Sequence, residues 1–190
     1  MKAMVLAVTG ASGAVYAKRF LERFPEAGTE LSVLFTETGK AVFRHETGVS
    51  YEDFRQSVNE TRKNIRFIPN SDFGFKYASG SNILDCMVVL PCSMGSLARI
   101  AQGVSTDLIG RIADVQLKER RKLILIPRES PYSLIHLRNM TVLAEAGALI
   151  APASPSFYAK PEQLNTLVDS FTERIMEISG IAGLSPEYRW

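Results

Sequence analysis

Five short stretches combine small, hydroxyl-bearing and charged residues in a way that suits an anionic ligand. They are Gly10-Ala-Ser-Gly13, Thr36-Glu-Thr38, Pro91-Cys-Ser-Met94, Arg128-Glu-Ser-Pro131 and Pro152-Ala-Ser-Pro155. Each follows a short apolar run and is therefore expected at the carboxyl end of a strand, where open parallel sheets collect their ligands. Four of the five place serine or threonine at an expected helix entrance. Taken singly, such residues are ordinary N-caps. Gathered at one edge, they offer hydroxyls and unpaired backbone N–H groups to an anion. Gly10-Ala-Ser-Gly13 is not a dinucleotide fingerprint, because Ser12 and Val15 stand where G-x-G-x-x-G needs glycine, and no Walker lysine follows. A mononucleotide with one phosphate fits better, its phosphate near the Gly10–Gly13 loop and the Ser93 helix entrance.

Other reactive residue types carry less. Cys86 begins an apolar run and reads as a small buried side chain. Cys92 lies at a strand end beside Ser93, where a reactive thiol is possible but no base is near in sequence. His45-Glu46 lacks a second ligand four residues on, so it is no zinc-protease helix. His136 falls on a helical pattern and reads as structural. Two cysteines and two histidines leave too few ligands for a structural zinc site. The run Lys118-Glu-Arg-Arg-Lys122 is by default a solvated, cationic helix end.

The elements that must position these residues alternate along the chain. Strands are expected over Met4–Thr9, Leu31–Phe35, Cys86–Leu90, Leu123–Ile126 and Ala148–Ile150. Helices are expected from Gly13 to about Phe24, around Lys40–His45, and over Met94–Ala101, Asp107–Arg120 and Leu134–Ala146, the last closed by Gly147 in a left-handed cap. Pro161 suits the first turn of a final helix whose stripe is Leu164, Leu167, Val168, Phe171 and Ile175. Tyr51 to Ser81 reads as a helix plus a surface excursion. This alternation argues a three-layer, Rossmann-like or flavodoxin-like α/β fold with a parallel sheet between helices. The 190 residues suit one domain, 1–190, with a tail over about 181–190. That tail holds the only tryptophan, Trp190, and either contacts a neighbour or frays.

Composition narrows the class. Apolar residues make up 46% and charged residues 22%, which is globular rather than disordered. A net charge of +2 gives no argument for nucleic acid or for an anionic membrane. No apolar run approaches the ~20 residues of a membrane span, and the N-terminus lacks a leader pattern, so a cytoplasmic protein is expected.

Six blocks then carry a resemblance: Gly10-Ala-Ser-Gly-Ala-Val-Tyr16, Pro91-Cys-Ser-Met94, Ala113-Asp-Val-Gln-Leu-Lys-Glu-Arg-Arg121, Arg128-Glu-Ser-Pro131, His136-Leu-Arg-Asn-Met140 and Pro155-Ser-Phe-Tyr158. In order and spacing, from Met4 to about Gly180, they resemble the UbiX-like flavin prenyltransferases. Thr36 stands where that family usually has serine and Ser130 where threonine is common, and both keep a hydroxyl. The resemblance implies a metal-independent enzyme that transfers a dimethylallyl group from dimethylallyl monophosphate to reduced FMN, at flavin N5 and C6. The prenylated FMN would serve a UbiD-like decarboxylase, in ubiquinone synthesis or aromatic-acid breakdown. It also implies a homo-oligomer, a dodecamer, with sites at subunit junctions.

The resemblance further assigns roles. Gly10, Ala11, Ser12, Gly13, Thr36, Ser93, Met94, Gly95, Ser96 and Arg128 match FMN-contacting positions. Lys118, Glu129, Tyr158 and Arg174 match positions that hold the dimethylallyl phosphate, and Ser12, Glu46 and Glu129 match positions tied to proton handling. The chemistry is consistent: a departing phosphate without a metal needs cations and hydroxyls, and alkylation needs a carboxylate to take a proton. Read without the resemblance, Arg174 is a solvated charge on the last helix. Two rival readings remain here. In the flavin-dependent cysteine decarboxylases a histidine on the helix after the second strand does the chemistry; His45 lies on such a helix, but the asparagine and methionine motifs of that family are absent. A non-catalytic flavin-binding module would lack the phosphate clamp.

Overall fold

The computed structural model describes residues 2–26, 28–158 and 160–181; Trp190 and its tail lie outside this range. Six strands form one parallel sheet: β1 (Ala3–Val8), β2 (Glu30–Phe35), β3 (Ile65–Phe67), β4 (Cys86–Cys92), β5 (Lys122–Pro127) and β6 (Leu149–Ile150). Their order is β3-β2-β1-β4-β5-β6, with Met4 opposite Cys86 and Cys86 opposite Lys122. This is the three-layer fold expected, in the Rossmann strand order. The chain reverses its direction of travel across the sheet between β1 and β4. A crevice therefore opens at the carboxyl ends of those two strands.

The central strands are apolar throughout because helices cover both faces. Met4, Leu6, Val8, Val88, Leu90, Ile124 and Ile126 face one layer, with Phe20, Leu21, Phe43, Phe54, Phe171 and Met176. These come from α1 (Ala14–Arg23), α2 (Glu37–Thr47), α3 (Tyr51–Thr61) and α7 (Leu164–Ser179). Val5, Ala7, Met87, Val89, Leu123 and Leu125 face the other layer, built on α4 (Met94–Ala101), α5 (Leu108–Lys118) and α6 (Leu134–Glu145). Residue parity along each strand thus decides which layer a side chain enters.

Three expectations are corrected. The stretch from Tyr51 to Ser81 contains α3, the edge strand β3 and a 3-10 turn at Lys76–Ala78, so the sheet has six strands where five were read. The last helix begins at Leu164 with Gln163 as its cap, and Pro161 precedes it. Helix α5 ends at Lys118, two residues before Arg120, whose φ of 52° cannot continue a helix. Gly147 closes α6 with φ 98°, as its lack of a Cβ allows.

Candidate active site

The floor of the crevice is one buried hydroxyl. Thr9, 1% exposed, follows β1; its Oγ1 donates to Pro91 O (2.9 Å) and accepts from Ser93 N (2.7 Å). Proline at 91 has no N–H for the ladder, and the β4–β5 register shifts between Val89 and Cys92. Thr9 therefore ties the ends of β1 and β4 together where regular pairing stops. Sequence reading passed over it as the last residue of an apolar run.

One wall belongs to α1. Gly13 caps it at φ 108° with no side-chain bond, so Ser12 is not the N-cap expected at that entrance. The orphan amides are met from elsewhere in the chain. The Glu46 carboxylate, from the last turn of α2, accepts from Gly13 N (2.9 and 3.2 Å) and Ala14 N (2.8 Å). An anion at a helix start is favourable through both hydrogen bonding and the helix dipole. A ligand phosphate cannot use these two amides while Glu46 holds them. Two close approaches shape the same wall. A Cβ on Gly10 would lie 2.6 Å from Thr38 Oγ1, and one on Gly39 would lie 2.5 Å from Val8 O. Thr36, nearly buried, caps α2 by accepting from Gly39 N at 2.9 Å.

Tyr16 stands beside this loop. Its ring carbon is 3.1 Å from where a Gly13 Cβ would be, and the ring meets Phe171 of α7 at 4.7 Å between centroids. Burial raises the phenol above its usual pKa; Arg128 pulls it down and Glu46 pushes it up. The phenol thus feels both the carboxylate from α2 and the guanidinium after β5. Tyr16 was not among the expected site residues, although its place one turn into the helix after a glycine loop was the available signal.

The opposite wall belongs to α4. Ser93 caps it by accepting from Ser96 N (3.3 Å) and donates to Ser96 Oγ (3.1 Å). Met94 is buried and Gly95 exposed. Arg128 and Glu129 follow β5 and are exposed, with Arg128 N donating to Cys92 O and the Glu129 carboxylate accepting from Ser130 N at 3.0 Å. Tyr158, also exposed, sits on the segment between β6 and α7. Gly10, Ala11, Ser12, Gly13, Thr36, Glu46, Ser93 to Ser96, Arg128, Glu129 and Tyr158 all belong to segments at this one carboxyl edge.

Two expected residues do not join them within one chain. Lys118 ends α5 four residues before β5 begins, with its ammonium on Glu119 and close to Gly80. The length of β5, roughly 20 Å for its six residues, separates it from Arg128. Arg174 lies ten residues into α7, roughly 15 Å from that helix's start, exposed and paired with Glu177 at 2.6 Å. The remaining reactive residues have structural roles. His136 accepts from Ser133 N through Nδ1 in a capping box. Burial pushes the Cys86 and Cys92 thiols up to about 12, so neither is a nucleophile near neutrality.

The α/β fold with its switch-point crevice is that of the Flavoprotein class, whose family profile matches residues 1–176. A flavin prenyltransferase UbiX of Methanocaldococcus jannaschii is 39% identical over 178 residues, covering 94% of this chain and 93% of that one. The chain belongs to the UbiX flavin prenyltransferase family. Among solved structures, AnUbiX (PadA1) in complex with FMN and dimethylallyl pyrophosphate superposes with TM-score 0.87 at 36% identity, over 100% of this chain and 97% of that one. A dodecameric FMN-dependent UbiX-like decarboxylase from Escherichia coli O157:H7 gives 0.84 at 35% identity, covering 96% of each chain. An FMN-dependent cysteine decarboxylase at 19% identity and TM-score 0.58 shares the fold alone.

Proposed function

We propose that this protein is a flavin prenyltransferase that takes reduced FMN and dimethylallyl monophosphate and joins the prenyl group to the flavin at N5 and C6, for use by a UbiD-like decarboxylase. The observation that carries this reading is the gathering of Ser12, Glu46, Arg128 and Glu129 on segments at one carboxyl edge, with Glu46 bound to the Gly13 and Ala14 amides. The residues fit the flavin. Glycines at 10 and 13 let the loop pack close against Thr38 and Tyr16, and α4 offers the Ser93 hydroxyl for a phosphate. When bound, reduced flavin supplies the nucleophilic nitrogen and ring carbon.

The chain's own groups have separable tasks. Arg128 places a fixed positive charge over the crevice, where it orients the flavin and steadies negative charge. Ser12 and Glu46 form a proton-handling pair on the α1 wall, with Glu46 held in place by two amides. Glu129, on the facing segment, is the carboxylate positioned to take the proton that the second bond releases. Tyr158 contributes a hydroxyl to the departing phosphate. Lys118 and Arg174 complete the phosphate clamp only if another copy of the chain brings at least Lys118 to this edge, which supports a homo-oligomer with shared sites. The dodecameric relative is consistent with that arrangement.

The test is anaerobic incubation with reduced FMN, with and without dimethylallyl monophosphate. Release of phosphate together with a flavin mass increase of one prenyl group is expected. FMN binding with no mass change would leave only a flavin-binding module, and decarboxylation of a cysteine-containing peptide would select the rival enzyme.

A further inference from the structure

The ammonium of Lys118 is not loose at its distant edge of the sheet. It rests on the Glu119 carboxylate and lies 2.7 Å from where a Cβ on Gly80 would stand. Both of those neighbours are held by one side chain. Arg121 donates from Nη2 to Gly80 O and from Nη1 to Asn82 O, each at 2.8 Å, and its Nη2 lies 3.7 Å from Glu119 Oε2. The two bonds span 41 and 39 residues and fasten the 80–82 loop against the end of α5. The backbone of the same turn is fixed as well. Arg121 N donates to Gln116 O at 2.8 Å and Arg120 N to Leu117 O at 3.1 Å, a helix closure that puts Arg120 in the left-handed region at φ 52°. A residue other than glycine is uncommon there and costs backbone energy, so the surrounding bonds must hold the turn to its shape.

We infer that Arg121 is a positioning residue for the phosphate clamp: by fixing Glu119 and Gly80 beside Lys118, it presents a pre-ordered ammonium to the dimethylallyl phosphate at the carboxyl edge of another copy. This rests on the proposed reading of Lys118 as a phosphate-holding residue. A lysine is a point charge on a flexible four-carbon stem, so a stem ordered before the phosphate arrives loses less entropy on binding. Arg121 acts through Lys118, because its own guanidinium is taken up by the two carbonyls. Gly80 gives a second handle on the same ammonium. The nearest neighbours of a Cβ there are the ends of the Lys118 and Glu119 side chains, so Gly80→Ala should move the ammonium and leave the fold intact.

The experiment is calorimetric titration of the full-length protein, loaded with oxidised FMN so that nothing turns over, with dimethylallyl monophosphate. Lys118→Ala is expected to weaken binding about 10- to 100-fold, as for loss of a charge-assisted contact, and Arg121→Gln and Gly80→Ala about 10-fold, with FMN affinity unchanged in all three. Unchanged FMN affinity shows that the variants are folded. The double variant Lys118→Ala/Arg121→Gln should bind no worse than Lys118→Ala, because a residue that works through Lys118 has nothing left to position. The inference is overturned if Arg121→Gln binds as wild type does, if its loss multiplies that of Lys118→Ala, or if FMN weakens in step with the phosphate ester. Failure of the clamp reading looks different: Lys118→Ala would then bind dimethylallyl monophosphate as wild type does, and the role of Arg121 would fall with it.

Discussion

Glu129 and Glu46 are both carboxylates at the crevice, yet their surroundings assign them different work. Glu46 is held by two backbone amides 32 and 33 residues away, whereas among the described residues Glu129 contacts the amide that follows it. A group that must move a proton needs freedom to approach the reacting atom, and Glu129 has it. Glu129→Gln keeps shape and hydrogen bonding but cannot accept a proton. Product formation is expected to fall about 10²–10⁴-fold, as for loss of a positioned general base, while FMN binding stays normal. Phosphate release and flavin absorbance should be followed together. If the product spectrum develops at the wild-type rate, the base is elsewhere, and Glu46 is the next candidate. The thiols and phenols make a second residue-level prediction. Burial raises Cys86 and Cys92 from 9.0 to about 12, and Tyr16 and Tyr51 above 10.0. A folded state that keeps its protons longer than the unfolded chain is stabilised fully below the unfolded pKa and loses that stability as pH rises. Urea midpoints are therefore expected to hold up to about pH 9 and to fall between there and about 12. At pH 8 a thiol reagent should modify both cysteines only after unfolding; fast labelling of the native protein would contradict the buried placement.

At the scale of elements, the site depends on how α1 and α7 are held. Arg19 grips Asp169 with two bonds of 2.7 Å and also meets Glu22, and Arg23 adds Asp169 and Glu173. The Asp169 and Glu173 side chains are only 12% and 4% exposed, so they need these partners. The same helix pair carries the Tyr16–Phe171 contact at the crevice. Arg19→Met keeps the aliphatic stem and removes the fork. It should destabilise the protein by about 2–3 kcal/mol, less than for a fully buried pair because Arg23 still reaches Asp169. Chemical denaturation measures this. A change under about 0.5 kcal/mol, the range of ordinary surface substitutions, would show that the network is solvent-screened instead.

At the scale of the molecule, the proposed clamp is split between the two edges of the sheet. No rotamer of Lys118 spans the length of β5, so a working site needs the amino edge of one copy near the carboxyl edge of another. Ser12→Ala and Lys118→Ala subunits, each inactive alone, are expected to regain activity on mixing, because some junctions then combine an intact Ser12 with an intact Lys118. Mixtures that stay inactive despite subunit exchange would place the whole site in one chain, as would a fully active monomer in light scattering. Among the described residues, no helix is long and apolar enough to cross a membrane.

How much of this was legible in the sequence follows from the range of the interactions. Strands β1, β4 and β5 could be read because burial on both faces makes each a continuous apolar run, and Thr36 and Ser93 because an N-cap bonds three residues ahead. Strand β3 could not: Ile-Arg-Phe is three residues long, and its pairing with β2 supplies what its pattern lacks. The family blocks pointed to the site residues without saying which edge of the sheet each occupies. That placement comes from the topology, since α5 runs back along the sheet before β5 begins and carries Lys118 away from Arg128. Only the folded chain could decide that Glu46 takes the α1 amides, that Thr9 joins the ends of β1 and β4 across 82 residues, and that Arg121 reaches Gly80 O. Local hydrogen bonding and burial period are properties of short segments, so they are written in the sequence; the meeting of distant charges depends on how the layers stack, so it is not.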